Sequence, residues 1–417
     1  MSFYFQCVNC SSTYKEEMVG NPFICKCGGL LEVVRPWKGI DSEKLKQLWD
    51  NRLSERMTVY ASGVWRYKEL IYPELPEPYI TTKYEGNTGL YPTETIARYT
   101  GVRQLLLKAQ SENPSGSFKD NGMTVAVSHG RSLGYERFTC TSTGNTSSSL
   151  AMYAALAGCT SVVYLPGNHI SASKVRQTAA YGAELILFNG TYDDGIRFSR
   201  QYSEPLGQYV CNSMNPFRIE GQKSIVYEMA HQLRWELPDW IVVPGGALSN
   251  ATALGKGLLE LKQLGFIQKL PRVAVIQAEG ASPFHRMVSL GDTSLIPEPQ
   301  PMTIASALNI GNPPSWRKAL HYIIGQLQGV TASVTDEEIM EAKGLIDRCG
   351  IGCEPASAAP VAGLKQLVRD GVVHPEETAA CILTGHLLKD TEVIPYSYSP
   401  SPIDLSLEAV NGLLSRG

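Results

Sequence analysis

The chain is short of the features that mark several protein classes. Its 37 basic and 40 acidic side chains leave a net charge of −3, too little of either sign to favour nucleic acid or an anionic membrane as a partner. No apolar run approaches the length of a membrane span, and Met1 to Cys7 lacks the basic start and apolar core of a secretion signal, so a cytoplasmic location is expected. Ten cysteines in 417 residues are too sparse for a disulfide scaffold. Internal repeats and low-complexity stretches are missing too. What is left, 43% apolar and 18% charged residues, suits a globular chain with a large core.

Six of the cysteines, Cys140, Cys159, Cys211, Cys349, Cys353 and Cys381, lie in apolar or small-residue surroundings typical of buried thiols. The other four form two close pairs near the start, Cys7 with Cys10 and Cys25 with Cys27, each pair at a turn. Residues 1–36 therefore read as a zinc-ribbon-like extension able to hold one structural zinc ion. The single residue between Cys25 and Cys27 is a tighter gap than usual, and the competing reading is a metal-free knuckle folded on Phe5, Phe23 and Leu31. No basic and aromatic patch accompanies the pairs, so a structural appendage is expected rather than a nucleic-acid module.

Residues 37–80 read as a helical linker, with Leu45, Leu48, Trp49 and Leu53 at helical spacing before Pro73, Pro76 and Pro78 break the pattern. Beyond it, short β-rich runs alternate with longer helical ones: 103–108, 161–165, 184–188, 240–243 and 272–277. Strands separated by helices predict an α/β fold of parallel sheets with helices on both faces, divided into halves 81–215 and 216–417.

Two segments carry chemistry. Ser111-Glu-Asn-Pro-Ser-Gly-Ser-Phe-Lys-Asp120 sets Lys119 at the start of a helical pattern, where burial and the positive helix end both disfavour its charge and leave a nucleophilic amine. Thr141-Ser-Thr-Gly-Asn-Thr-Ser-Ser-Ser149 follows. A lysine among small residues and then a Gly-Asn-Thr loop suit the aldehyde cofactor pyridoxal 5'-phosphate (PLP), with Lys119 as its amine partner and Asn145 as a donor to its ring oxygen. Further on, Pro244-Gly-Gly-Ala-Leu-Ser-Asn250 joins an apolar strand to a helical run, a turn on which several N–H groups converge toward a phosphate. Gly245, Gly246, Ala247, Leu248, Ser249 and Asn250 are the candidates to cradle the cofactor phosphate. Alone, a lysine beside Asp120 is more often a surface ion pair, and paired glycines more often a tight turn.

With Asn212-Ser-Met-Asn-Pro-Phe-Arg-Ile-Glu-Gly-Gln222, Ile310-Gly-Asn-Pro313, Cys353-Glu-Pro-Ala-Ser-Ala-Ala359 and Leu383-Thr-Gly-His386, these segments occur in an order that resembles the fold-type II PLP enzymes, and the threonine synthase family in particular, from about Tyr84 to Asp390. The resemblance implies two parallel-sheet three-layer domains, the first carrying the PLP lysine and the second the phosphate loop. It further implies that the Thr384 hydroxyl faces the pyridine nitrogen and that Asn212, Ser213 and Arg218 hold a substrate phosphate. Ser142, Thr143 and Thr146 beside Asn145 are then expected to meet the rest of the substrate, and the segment Lys83 to Thr88 to line the cleft. The implied reaction makes L-threonine and phosphate from O-phospho-L-homoserine and water, in a homodimer.

Ala247 and Ser249 stand where Asn and Gly are frequent in the family, and Asn121 where Arg is common, which leaves room for a paralogue acting on a related phosphorylated amino acid. The alternatives are a cysteate-synthase-like enzyme using phosphoserine and sulfite, and a threonine or serine dehydratase, which has no need of Asn212, Ser213 and Arg218. A ribbon-bearing binding protein with a lapsed catalytic body is a third reading, opposed by the intact Lys119.

Overall fold

The strand Trp240–Pro244 is buried at every position, as a strand covered on both faces must be. The computed structural model, which describes residues 3–21, 23–167, 172–394, 402 and 405–414, sets it inside a six-stranded sheet. The order across that sheet is Val330–Val334, Arg272–Ala278, Trp240–Pro244, Thr378–Leu383, Gln104–Ala109 and Leu90–Pro92. All neighbours are parallel except the last pair, where Leu90–Pro92 closes the edge antiparallel. A second, all-parallel sheet has the order Glu184–Phe188, Thr160–Pro166, Arg137–Thr141, Gln208–Val210.

The sheets do not divide at residue 215. Gln104–Ala109 and Leu90–Pro92 precede that point yet belong to the larger sheet, and the smaller sheet is a continuous segment set between strands of the larger one. The reason is the pairing of Gln104–Ala109 with Thr378–Leu383, in which Gln104 lies opposite Thr378 and Ala109 opposite Leu383. Alternating strands and helices imply parallel sheets, but they do not say which distant strands become neighbours. This pairing positions the lysine segment: Phe118 N donates to the Thr384 carbonyl at 3.0 Å, and Ser117 bridges to Gly385.

At the N-terminus, Thr13–Tyr14, Tyr4–Cys7 and Leu31–Val34 form a three-stranded antiparallel sheet. It is not an appendage. Phe5, Phe23 and Leu31 are buried, and Phe5 and Phe23 both pack on Phe217 of the body, whose ring stacks on His129 at 3.6 Å between centroids. Polar contacts pin the same face: Asn21 donates to Gln208 O at 2.6 Å and accepts from Val210 N at 3.0 Å, and Arg35 pairs with Glu220 at 2.7 Å. Lys318 Nζ donates to Leu31 O at 2.7 Å. So small a sheet cannot bury its own apolar face, and it shares the core of the body instead. The helix read in residues 37–80 is Ser42–Arg52, and it packs on the body: Trp49 is fully buried and stacks on Phe266 at 5.0 Å.

Candidate active site

Lys119 is the first residue of the helix Lys119–Ser132, so its side chain starts from the positive helix end. Its Nζ lies 4.1 Å from the centroid of the Phe118 ring. Burial, then the charge of Arg218, push its pKa down to about 7, against a smaller opposing pull from Glu354. Near neutrality a large share of this amine is therefore unprotonated and nucleophilic.

The same cavity is lined by Asn145, Glu354, Thr384 and the loop from Gly246 to Asn250. Gly245 lies outside this lining: its N–H donates to Ile276 O at 2.7 Å, and its carbonyl accepts from Gln277 Nε2 at 2.8 Å, so it shapes the turn. At Gly246 a Cβ would stand 2.7 Å from Ala307 O, which keeps the position open to glycine alone. Leu248 takes the left-handed conformation at φ 64° and hands the chain to the helix Ser249–Gln263, whose first-turn N–H groups have no intrahelical partner. Both ends of the Asn250 side-chain amide, the Ser315 hydroxyl and Asn145 Oδ1 are buried without a partner. Orphaned donors and acceptors around a depressed lysine fit a polar aldehyde cofactor with a phosphate.

Asn145 differs from the expectation of a simple donor. Its Nδ2 donates to both oxygens of Glu354, at 2.9 and 3.0 Å, so Oδ1 is the unpartnered atom. Thr384 Oγ1 lies 3.0 Å from Ser357 Oγ, which already accepts from Thr384 N and Gly385 N, each at 2.8 Å. A hydroxyl has two acceptor sites and one proton, so with both sites filled Ser357 cannot accept from Thr384 and has one proton for either Thr384 Oγ1 or the Gly385 carbonyl at 3.3 Å. The Thr384 proton is thereby left for another acceptor.

Arg218 is buried in the helix Pro216–Gln222; Nη1 donates to Cys211 O at 3.0 Å, while Nε and Nη2 have no partner. Asn212 is engaged at both ends of its amide, accepting from Thr141 N at 3.1 Å and donating to Thr141 O at 2.9 Å, so it ties down the end of the strand Arg137–Thr141. Ser213 is buried and lines a neighbouring, larger cavity. Ser142, Thr143 and Thr146 are half-buried and stand outside the lining of the lysine cavity, although they flank Asn145.

Several residues that sequence reasoning did not single out belong here. Glu354 is fully buried, and Gly385 leaves it room: a Cβ there would come within 2.3 Å of Oε1. Lys174 Nζ lies 3.4 Å from Glu354, 2.9 Å from Asp390 and 2.8 Å from Ser306 Oγ. Burial opposes the Lys174 charge, but Glu354 and Asp390 outweigh it and hold the pKa above the ordinary lysine value. The acid stood inside a motif already noted. Its partners come from other elements and leave no local signal.

Away from this cleft, the sulfurs of Cys7, Cys10, Cys25 and Cys27 all lie within 4.8 Å of one another, with Cys7 to Cys27 at 3.5 Å and Cys10 to Cys25 at 3.6 Å.

Residues 81–385 match the family of pyridoxal-phosphate dependent enzymes. The chain is 41% identical to the threonine synthase of Methanosarcina acetivorans, over 98% of both chains, and 40% identical to that of Methanocaldococcus jannaschii, over 99% of both. Among solved structures, threonine synthase from Escherichia coli shares the fold with a TM-score of 0.72 at 19% identity, covering 93% of this chain and 90% of the other. Maize serine racemase does so with a TM-score of 0.63 at 18% identity, covering 86% and 98%.

A pKa lowered to about 7 means that the Lys119 amine is neutral above that pH. When apoprotein is mixed with PLP, the rate of capture followed by visible absorbance is expected to rise through pH 7 and level off. Lys119→Ala is expected to abolish the signal. A wild-type rate that keeps climbing toward the ordinary lysine pKa of about 10.4 would contradict the buried-amine assignment.

Proposed function

The chain belongs to the threonine synthase family of pyridoxal-phosphate-dependent enzymes, and we propose accordingly that it converts O-phospho-L-homoserine and water into L-threonine and inorganic phosphate. The observation that carries this substrate is Arg218, a buried guanidinium with two unpartnered nitrogens whose charge is felt at Lys119. A phosphate monoester offers the charge and the acceptors that such a group needs. A dehydratase acts on a hydroxyl amino acid with no phosphate and leaves that guanidinium unanswered.

Bound PLP supplies an aldehyde that condenses with amines and a ring that draws electrons from the substrate's carbon atoms. In this reading the backbone from Gly246 to Ser249 and the Asn250 amide hold the cofactor phosphate, while Gly245 sets the turn. The Thr384 proton, left free by Ser357, would serve the ring nitrogen of the cofactor, and Asn145 would meet its ring oxygen. Lys119 takes protons from the α and β carbons of the substrate and returns protons to carbon, which a pKa of about 7 permits in both directions. Arg218, with Ser213, holds the phosphate while its ester oxygen leaves the γ carbon with the bonding electron pair. Water then adds its oxygen at the β carbon. Ser142, Thr143 and Thr146 serve the substrate carboxylate at the mouth, and Asn212 fixes the strand end that carries them.

We assign one structural zinc ion to the four cysteines. Tetrahedral thiolates at about 2.3 Å from zinc stand about 3.8 Å apart, close to the two sulfur spacings seen here. The family resemblance supports a cytoplasmic homodimer.

A phosphate-release assay with product identification tests the substrate. It is expected to give L-threonine and phosphate from phosphohomoserine, with no release from phosphoserine; the reverse pattern would replace this reading by the cysteate-synthase-like one. In that assay Arg218→Ala is expected to lower kcat/KM by about 10- to 150-fold, the loss of one charge-assisted contact of roughly 1.5 to 3 kcal/mol, with PLP content unchanged. A variant that loses PLP instead would move Arg218 to the cofactor phosphate.

Metal analysis of protein prepared without chelator is expected to find about one zinc per chain. Because the extension shares its core with the body, stripping the metal is expected to lower the thermal transition of the whole chain as well as loosen the first strands. Metal-free preparations with an unchanged transition would leave the knuckle of Phe5, Phe23 and Leu31 as the stabilising element.

A further inference from the structure

Beside the Arg218 site lies a second cavity, of about 350 Å³, walled on one side by the cysteine extension at Val8, Asn9 and Leu30 and on the other by the helix Tyr192–Tyr202. Its charge is one-sided. Arg197, Arg200, Arg317 and Lys318 line it, and Asp193 is the one carboxylate among the lining residues. Arg197 is paired with Asp194, but among the described residues no carboxylate lies within ion-pair distance of Arg200, Arg317 or Lys318. The three arginines are exposed and form a rim; Lys318 is buried, with its Nζ on the Leu31 carbonyl at 2.7 Å. In a chain of net charge −3, Arg200, Arg317 and Lys318 have no ion pair of their own among the described residues and meet Asp193 and Glu32 only at longer range, so the concavity keeps an excess of positive charge and is a local trap for an anion.

The cavity adjoins the place where phosphate is expected to form. Ser213 lines it, two residues from Cys211, whose carbonyl holds Arg218. Tyr192 spans the partition: the residue is 36% exposed and lines the cavity, while its hydroxyl is buried toward Asn212 and Arg218. Arg218 itself is closed off from solvent.

We propose that this cavity is a second anion site that binds inorganic phosphate, the product of the reaction, as it leaves the Arg218 site past Tyr192 and Ser213. Guanidinium groups at the rim and the ammonium on the floor offer the charge-assisted contacts that a phosphate dianion takes. The route rests on the threonine synthase reading; phosphate binding in the cavity does not. On this account the extension is a wall of the release path as well as a part of the core.

The test is equilibrium binding of inorganic phosphate to the PLP-loaded enzyme by calorimetry, with no turnover, on wild type, Arg218→Ala and the double variant Arg200→Gln/Arg317→Gln. Both arginines of the double variant are exposed, so its fold is expected to survive, with circular dichroism and PLP content as the check. Wild type is expected to bind two phosphates per chain. Arg218→Ala is expected to keep one, and the double variant to lose that one by roughly tenfold or more in affinity while keeping the other. A single phosphate in wild type, abolished by Arg218→Ala and unaltered in the double variant, would overturn the proposal, as would equal binding in all three proteins. Failure of the substrate assignment would appear separately, as absent turnover of phosphohomoserine with cavity binding intact.

Discussion

The charge of buried Arg218 acts on the amine of Lys119, and the chemistry of the protein follows from which of the two cations gives way. Arg218 is buried and Lys119 half-buried, and after burial the charge of Arg218 is the next largest influence lowering the lysine's pKa. A guanidinium does not release its proton in the accessible pH range, whereas an amine does, so the strain of like charges falls on Lys119. That leaves a nucleophilic amine with a fixed cation near enough to act on it. Glu354 pulls the other way, but its carboxylate is shared with the Asn145 amide and with Lys174, which limits how far it restores the lysine's charge.

The architecture serves that placement. Gln104–Ala109 beside Thr378–Leu383 brings the turn before Lys119 against Thr384 and Gly385, so the lysine, the hydroxyl with a proton to give and the glycine that admits Glu354 all meet at one sheet end. Ligand sites at the carboxyl ends of parallel strands are the general rule for open α/β sheets. Here the phosphate-type loop also leaves the end of a strand of the same sheet, Trp240–Pro244, and faces the lysine across the cavity.

The parts legible in the sequence were those whose chemistry is local. Lys119 after Asn113-Pro-Ser-Gly, and the Gly245-Gly246 turn between an apolar strand and a helix, announce themselves within a few residues, because turn geometry and helix ends are set by near neighbours. The rest depends on distant pairing. Nothing near Glu354 in the chain points to Asn145 or Lys174, and nothing near Ser357 says that it will accept two backbone N–H groups and so fix the Thr384 proton. Asn212 looked like a phosphate donor from its motif, whereas both ends of its amide are committed to Thr141. The extension was legible as a cysteine cluster but not as part of the core, since Phe217 and His129, which receive it, lie far along the chain.

Removing one charge and reading the other group shows whether Arg218 and burial together lower the pKa of Lys119. The apparent pKa of Lys119 can be taken from the pH dependence of PLP capture in Arg218→Gln beside wild type. A rise from about 7 that stops short of the ordinary value of about 10.4 is expected, because burial, the larger influence, remains. An unchanged pKa in a folded, PLP-binding variant would contradict the role of Arg218.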